Sequence, residues 1–121
     1  MKQGKLHLKR AYDPPEESDG FRILVDRLWP RGLKKSDACL DAWMKEVTPT
    51  PALRKWFDHD PRKWESFGKA YREELAHAEG IGQLLVYLEQ HEVVTLVYAA
   101  KDTAHTHALV LKEFLENERR K

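Results

Sequence analysis

"VVTLVYAAKDTAHTHALVLKEFL", residues 93–115, carries the pattern that decides the fold. Residues 93–100 form an unbroken β-branched and apolar run. A strand with one wet face would alternate, so this run predicts a central parallel strand covered on both faces. Residues 101–105, KDTAH, read as a tight turn. Beyond it Ala108, Leu111, Phe114 and Leu115 recur at helical spacing, and the reading predicts a helix over 105–117. The basic end of that helix suits its dipole.

Working outward, FRILV at 21–25 is a second strand, expected parallel to 93–98 and next to it. KLHLKRAY at 5–12 alternates, with Leu6, Leu8 and Arg10 on one side and His7 and Lys9 on the other. The intervening DPPEESDG, 13–20, holds Asp13-Pro14 and Asp19-Gly20 turn signals and reads as a loop. After Gly32, Ser36 or Asp37 is expected to cap a helix with the stripe Leu40, Trp43, Met44 and Val47. Thr50-Pro51 opens another, leading to Leu53, Trp56 and Phe57. Asp60-Pro61 opens a third, bearing Trp64, Phe67, Tyr71 and Leu75, expected to pack on the helix of Trp43. Ile81, Leu84, Leu85 and Leu88 mark a fourth. Trp43, Trp56, Phe57, Trp64 and Phe67 read together as a core cluster. The order predicts a small single α/β domain over residues 1–121, with a short, mainly parallel sheet flanked by helices.

Composition narrows the function. In 121 residues the formal net charge is +1, so no global field draws nucleic acid, which ranks last among partners. A single cysteine, Cys39, rules out an intrachain disulfide and a four-cysteine zinc site. It lacks a neighbouring histidine or a CxxC pattern and is not read as a nucleophile. The opening MKQGKLHLKR has no apolar run after its charges, which argues against a signal peptide. No stretch approaches the roughly 18 apolar residues of a membrane helix. The expected compartment is the cytoplasm, with no membrane partner. Neither GxGxxG nor GxxxxGK[ST] occurs, so no nucleotide cofactor is expected.

In open α/β sheets ligands gather at the carboxyl ends of strands. Two such ends carry charge. VDRLWPRG, 25–32, is a rigid corner: Pro30 holds Trp29 out of helical geometry, and Gly32 permits a turn that other residues resist. Arg27 and Arg31 suit bidentate contact with a carboxylate or phosphate, Trp29 offers a wall, and Arg10 lies on the first strand. At the other end, Lys101 adds a charge, Asp102 or Thr103 is expected to cap the last helix, and His105 is placed in its first turn. His107 projects from a different side, so no metal site is expected from the pair. The functional reading is a site for a small anionic ligand at Arg10, Arg27, Trp29, Arg31 and Lys101. His105 would serve as acid or base, oriented by Asp26 or Asp102. The alternative is a non-catalytic protein-interaction module in which Asp26, Arg27 and Lys101 form a structural ion-pair network. An exposed Trp43 or Trp56 would favour it. These residues specify neither a reaction nor an oligomeric state.

Three stretches also carry a resemblance: "KRAYDPPEESDGFRILVDRLWPRG", "LRKWFDHDPRKWESFGKAYREEL" and "VTLVYAAKDTAHTHALVLKEFL". They are similar to the DUF488 family, in its short bacterial YeaO-like branch. The resemblance implies a compact α/β fold and no assigned reaction. Longer relatives carry a segment like CxExxPxxCHR after the final strand. Here Ala99 or Ala100 stands where a cysteine sits, and Thr106-His107 replaces the Cys-His pair. Any thiol or metal role of those relatives therefore does not transfer. Thr106 also stands where the short branch commonly has Asn. The motif matches are Arg10, Asp26, Arg27, Trp29, Pro30, Arg31, Gly32, Lys101, Asp102 and His105.

Overall fold

The computed structural model describes residues 5–120, so residues 1–4 and 121 of the expected domain span lie outside the described residues. Four strands, β1 (Lys5–Arg10), β2 (Phe21–Leu24), β3 (Ala42–Trp43) and β4 (Val93–Tyr98), form one parallel sheet in the order β1-β4-β2-β3. This is a small α/β fold, with the unbroken apolar run at its centre. In register, Arg10 faces Tyr98 and Leu24 faces Val97, so β1, β2 and β4 end at one edge.

The period of two sorts the two faces of the sheet. Leu6, Ile23, Val25, Val94, Leu96 and Tyr98 enter the main core. That face is covered by α2 (Pro51–Phe57), α3 (Trp64–Ala76), α4 (Gly80–Gln90) and α5 (His107–Arg119), which supply Phe57, Phe67, Leu84 and Leu111 among others. Leu24 and Val97 point the other way and form a second cluster with Ala11, Trp29, Leu33 and Leu40. The segment after β2 thus closes the second face without a long helix. At the amino end of β2, Arg22 is buried against Asp19 (2.6 Å) and the Ala38 carbonyl (3.0 Å).

The helix expected from Ser36 through Val47 does not form. One helical turn, α1 (Lys35–Ala38), ends at Cys39 in the left-handed region, φ 49°. The chain then lies along β2: Asp41 exchanges hydrogen bonds with Arg22, and Met44 N–H donates to the Leu24 carbonyl. The open edge of β2 satisfies this backbone, and that outweighs the helical spacing of the side chains. Met44 and Val47 still enter the core, but Trp43 sits on the edge strand, 37% exposed. Trp64, Phe67 and Tyr71 therefore pack on Phe57 and one another instead of on a helix bearing Trp43, with Phe57 and Phe67 stacked at 4.3 Å. Trp56 is exposed and Trp64 half-buried, so only Phe57 and Phe67 of the five proposed core aromatics are fully inside.

The last helix begins at His107 rather than 105, capped by Thr106, whose hydroxyl accepts from Ala108 N–H. Neither Asp102 nor Thr103 caps it. The Asp102 carboxylate accepts from the Ala104 and His105 amides, building a separate turn that places His105 before the helix.

Candidate functional site: a cleft at the strand ends

The shared edge of β2 and β4 opens into a cleft of about 660 Å³. Residues 26–31 form one wall. Thr48, Pro49, Pro51, Arg54, Phe57 and His59 form a second, and Ala99, Ala100, His105, Thr106 and His107 a third. The volume suits a small organic molecule.

Asp26 sits at the junction of the two strands. Its Oδ2 accepts from Ala99 N–H at 2.8 Å, tying β2's exit to β4's. Its backbone carbonyl accepts from Trp43 Nε1 at 2.7 Å. Its Oδ1 lies 3.5 Å from Nε2 of His107. That nitrogen is 2.6 Å from the Val25 carbonyl, which can only accept, so the hydrogen resides on Nε2. Burial pushes the Asp26 carboxyl up, against the opposing pull of His107, the Ala99 amide and Arg54. Burial likewise pushes His107 down, against Asp26. Both shifts favour the uncharged form.

His105 lies between Asp102 and Trp64. Its Nδ1 is 2.8 Å from Asp102 Oδ2, and its ring meets the indole of Trp64 edge-on at 5.5 Å. The bond to His105 outweighs the small effect of burial and holds the exposed Asp102 carboxyl below its usual range. Trp29 is fixed by Nε1–H donating to the Leu33 carbonyl and by edge contact with Trp43. Gly32 adopts φ 79°, the conformation the corner requires.

Arg27, Arg31 and Arg54 line the cleft, and among the described residues their guanidinium groups enter none of the observed ion pairs. The structure thus brings Asp26, Arg27, Trp29, Arg31 and His105 to one cleft. Lys101 and Asp102 do not line it. Nor does Arg10, whose guanidinium donates to the Ala99 and Ala100 carbonyls and fixes the loop behind the cleft. The proposed ion-pair network of Asp26, Arg27 and Lys101 is not formed. Asp26 meets an amide and an imidazole instead, because the backbone turn at Ala99 reaches its carboxylate first. Trp43 and Trp56 are exposed, yet each ring carries an ammonium, Lys45 at 4.2 Å and Lys63 at 4.9 Å.

Among the lining residues that the sequence did not single out for the site are Thr48, Arg54 and His107. A signal existed for Arg54, which stands three residues after Pro51 and three before Phe57 and so shares their side of α2. Among the described residues, no group of three His, Cys, Asp or Glu side chains could hold a metal ion. No helix there is long and apolar enough to cross a membrane.

A short parallel sheet with a charged cleft at its strand ends defines a small α/β protein of the strand-end-cleft kind. Residues 5–121 match the family described as the inactive DUF488-N3 subclade, DUF488-N3i, and the chain belongs to this family. It is 48% identical to the uncharacterized protein YeaO of Escherichia coli (strain K12) over 112 residues, 93% of this chain and 97% of that one. It is 36% identical to the uncharacterized protein Rv3073c of Mycobacterium tuberculosis (strain ATCC 25618 / H37Rv) over 115 residues, 95% of this chain and 97% of that one. No solved structure matches the chain.

Proposed function

We propose that this protein binds a small organic anion in the strand-end cleft and does not transform it. The observation that carries the reading is the set of three guanidinium groups, Arg27, Arg31 and Arg54, free of the observed ion pairs and lining one cleft. Guanidinium forks match phosphate and carboxylate oxygens two at a time. Trp29, Pro30 and Phe57 supply an apolar wall for the body of the ligand. His105, held by Asp102, presents its remaining ring nitrogen as a further polar contact.

The absence of turnover follows the description of the family as an inactive subclade. The residues support it in one respect. His107 is tied to the Val25 carbonyl, so it is not free to shuttle a proton without breaking a structural bond.

The test is titration with inorganic phosphate and phenyl phosphate, followed by amide and imidazole NMR. Shifts clustered at residues 27, 31, 54 and 105, weakened at least about tenfold in Arg27→Ala, are expected. No clustered shift at millimolar ligand, in folded protein, would refute the reading. The phosphorus spectrum of phenyl phosphate should stay unchanged on long incubation. Release of phosphate would instead make the site catalytic.

A further inference from the structure

The inner end of the cleft has a chemistry opposite to its rim. Asp26 Oδ2 is occupied by the Ala99 amide. Among the described residues, Oδ1 has only the 3.5 Å contact with His107 Nε2, whose hydrogen goes to the Val25 carbonyl. The side chain lines the cleft, and only 16% of it is exposed. Among the described residues, Oδ1 of this cleft-lining side chain is thus an acceptor with no donor committed to it. A phosphate oxygen placed against Oδ1 would set acceptor against acceptor, so the anionic part of a ligand belongs at the arginine rim. The inner part must donate a hydrogen bond. Arg54 acts electrostatically on both Asp26 and His107, which penalises a cationic donor beside them and favours a neutral N–H. The half-buried Trp29 also lines the cleft and offers aromatic surface to a ring.

We propose that the ligand is a purine nucleoside monophosphate or its close chemical equivalent. Its neutral ring N–H edge would meet Asp26 Oδ1, and its phosphate Arg27, Arg31 and Arg54. The proposal rests on the anion-binding reading above and assigns the opposite end of the same cleft.

The probes are the guanosine, adenosine and unsubstituted-purine nucleoside 5′-monophosphates, with inorganic phosphate as reference, measured by calorimetry at pH 8. The three nucleotides share sugar and phosphate and differ in ring donors: an N–H with an amino group, an amino group alone, and none. Wild-type protein should bind the guanosine compound at least about tenfold more tightly than the unsubstituted one, with the adenosine compound between. Asp26→Asn keeps the shape and an oxygen for the Ala99 amide, and it puts a donor where Oδ1 was. Its preference should fall to about one or reverse, while its affinity for inorganic phosphate is not reduced. Equal affinity for all three nucleotides in wild-type protein would overturn this proposal and leave the anion site standing. A preference that persists in Asp26→Asn would overturn Asp26 as the group that reads the ring. Failure of every probe, phosphate included, would overturn both readings.

Discussion

Residues 17–19 of the expected loop form a single helical turn, Glu17–Asp19, and removing the buried Asp19 at its end should cost far more than a substitution in a solvated loop would. Its carboxylate accepts from Arg22 Nη1 at 2.6 Å, Lys9 Nζ at 3.1 Å and the Glu16 amide at 3.0 Å. Arg22 is 3% exposed and cannot swing into water. Without Asp19 it keeps one side-chain bond, to the Ala38 carbonyl, while its Nε already has no partner among the described residues. Stranding one member of a buried pair costs about 3–5 kcal/mol, so Asp19→Ala should lose that much in urea denaturation. Adding Arg22→Met removes the stranded charge and fills its space with apolar atoms, and the double variant should recover most of the loss. Acid should show the same interaction. Burial works to raise the Asp19 carboxyl, but the Glu16 amide, Lys9 and Arg22 together lower it. Its stabilisation is therefore complete above the unfolded carboxyl value of about 3.9 and is lost as pH falls through the lower folded value. The gap between wild type and Asp19→Ala should narrow below about pH 4. A loss under about 1 kcal/mol at neutral pH, or a double variant no more stable than Asp19→Ala, would refute the argument.

Phe67→Ala should cost about 3–5 kcal/mol in chemical denaturation, since Phe67 is 1% exposed and stacked on Phe57. Trp64→Ala should cost clearly less because that indole is only half-buried. Gly80→Ala should destabilise by about 1–3 kcal/mol although alanine favours helix. The added methyl would lie 2.8 Å from Val47 Cγ1 and 3.1 Å from Glu46 Cβ, and a lower urea midpoint is the readout. Arg27→Ala should change stability by no more than about 0.5 kcal/mol while abolishing anion-induced NMR shifts, because the side chain is exposed and enters none of the observed ion pairs.

The centre of the fold was legible because it rests on local signals. The run at 93–98 has no wet face, and a strand buried on both sides leaves no other reading for that composition. Thr50-Pro51 and Asp60-Pro61 carry their helix starts in two residues each. The stretch from Ser36 to Val47 misled because its apolar spacing is helical while its backbone is claimed by a strand edge far away in sequence. Spacing does not record an edge that needs a partner. The site was read from its rim. The corner at 26–31 announces itself through Pro30, Gly32 and two arginines. Arg54 and His107 reach the cleft only once α2 and α5 have docked. The helical argument for separating His105 from His107 does not apply, because His105 precedes α5; both line the cleft, and the start of α5 at His107 carries that ring to Asp26.

The strand order fixes a sequence of events during synthesis. β4 is the central strand and the last to be made, yet β1 and β2 both hydrogen-bond to it. β1 leaves the ribosome long before its partner: Lys5 pairs with Val93, and Arg10 reaches a carbonyl 90 residues on. At about 5–20 residues per second the first strand waits roughly 4–18 s for a neighbour. Throughout that interval β1 has no partner strand, whereas β2 can already pair with β3. Folding is therefore a single late closure, in which one emerging strand inserts between two that are already waiting, and until then the early strands are clients for any chaperone that binds extended apolar chain.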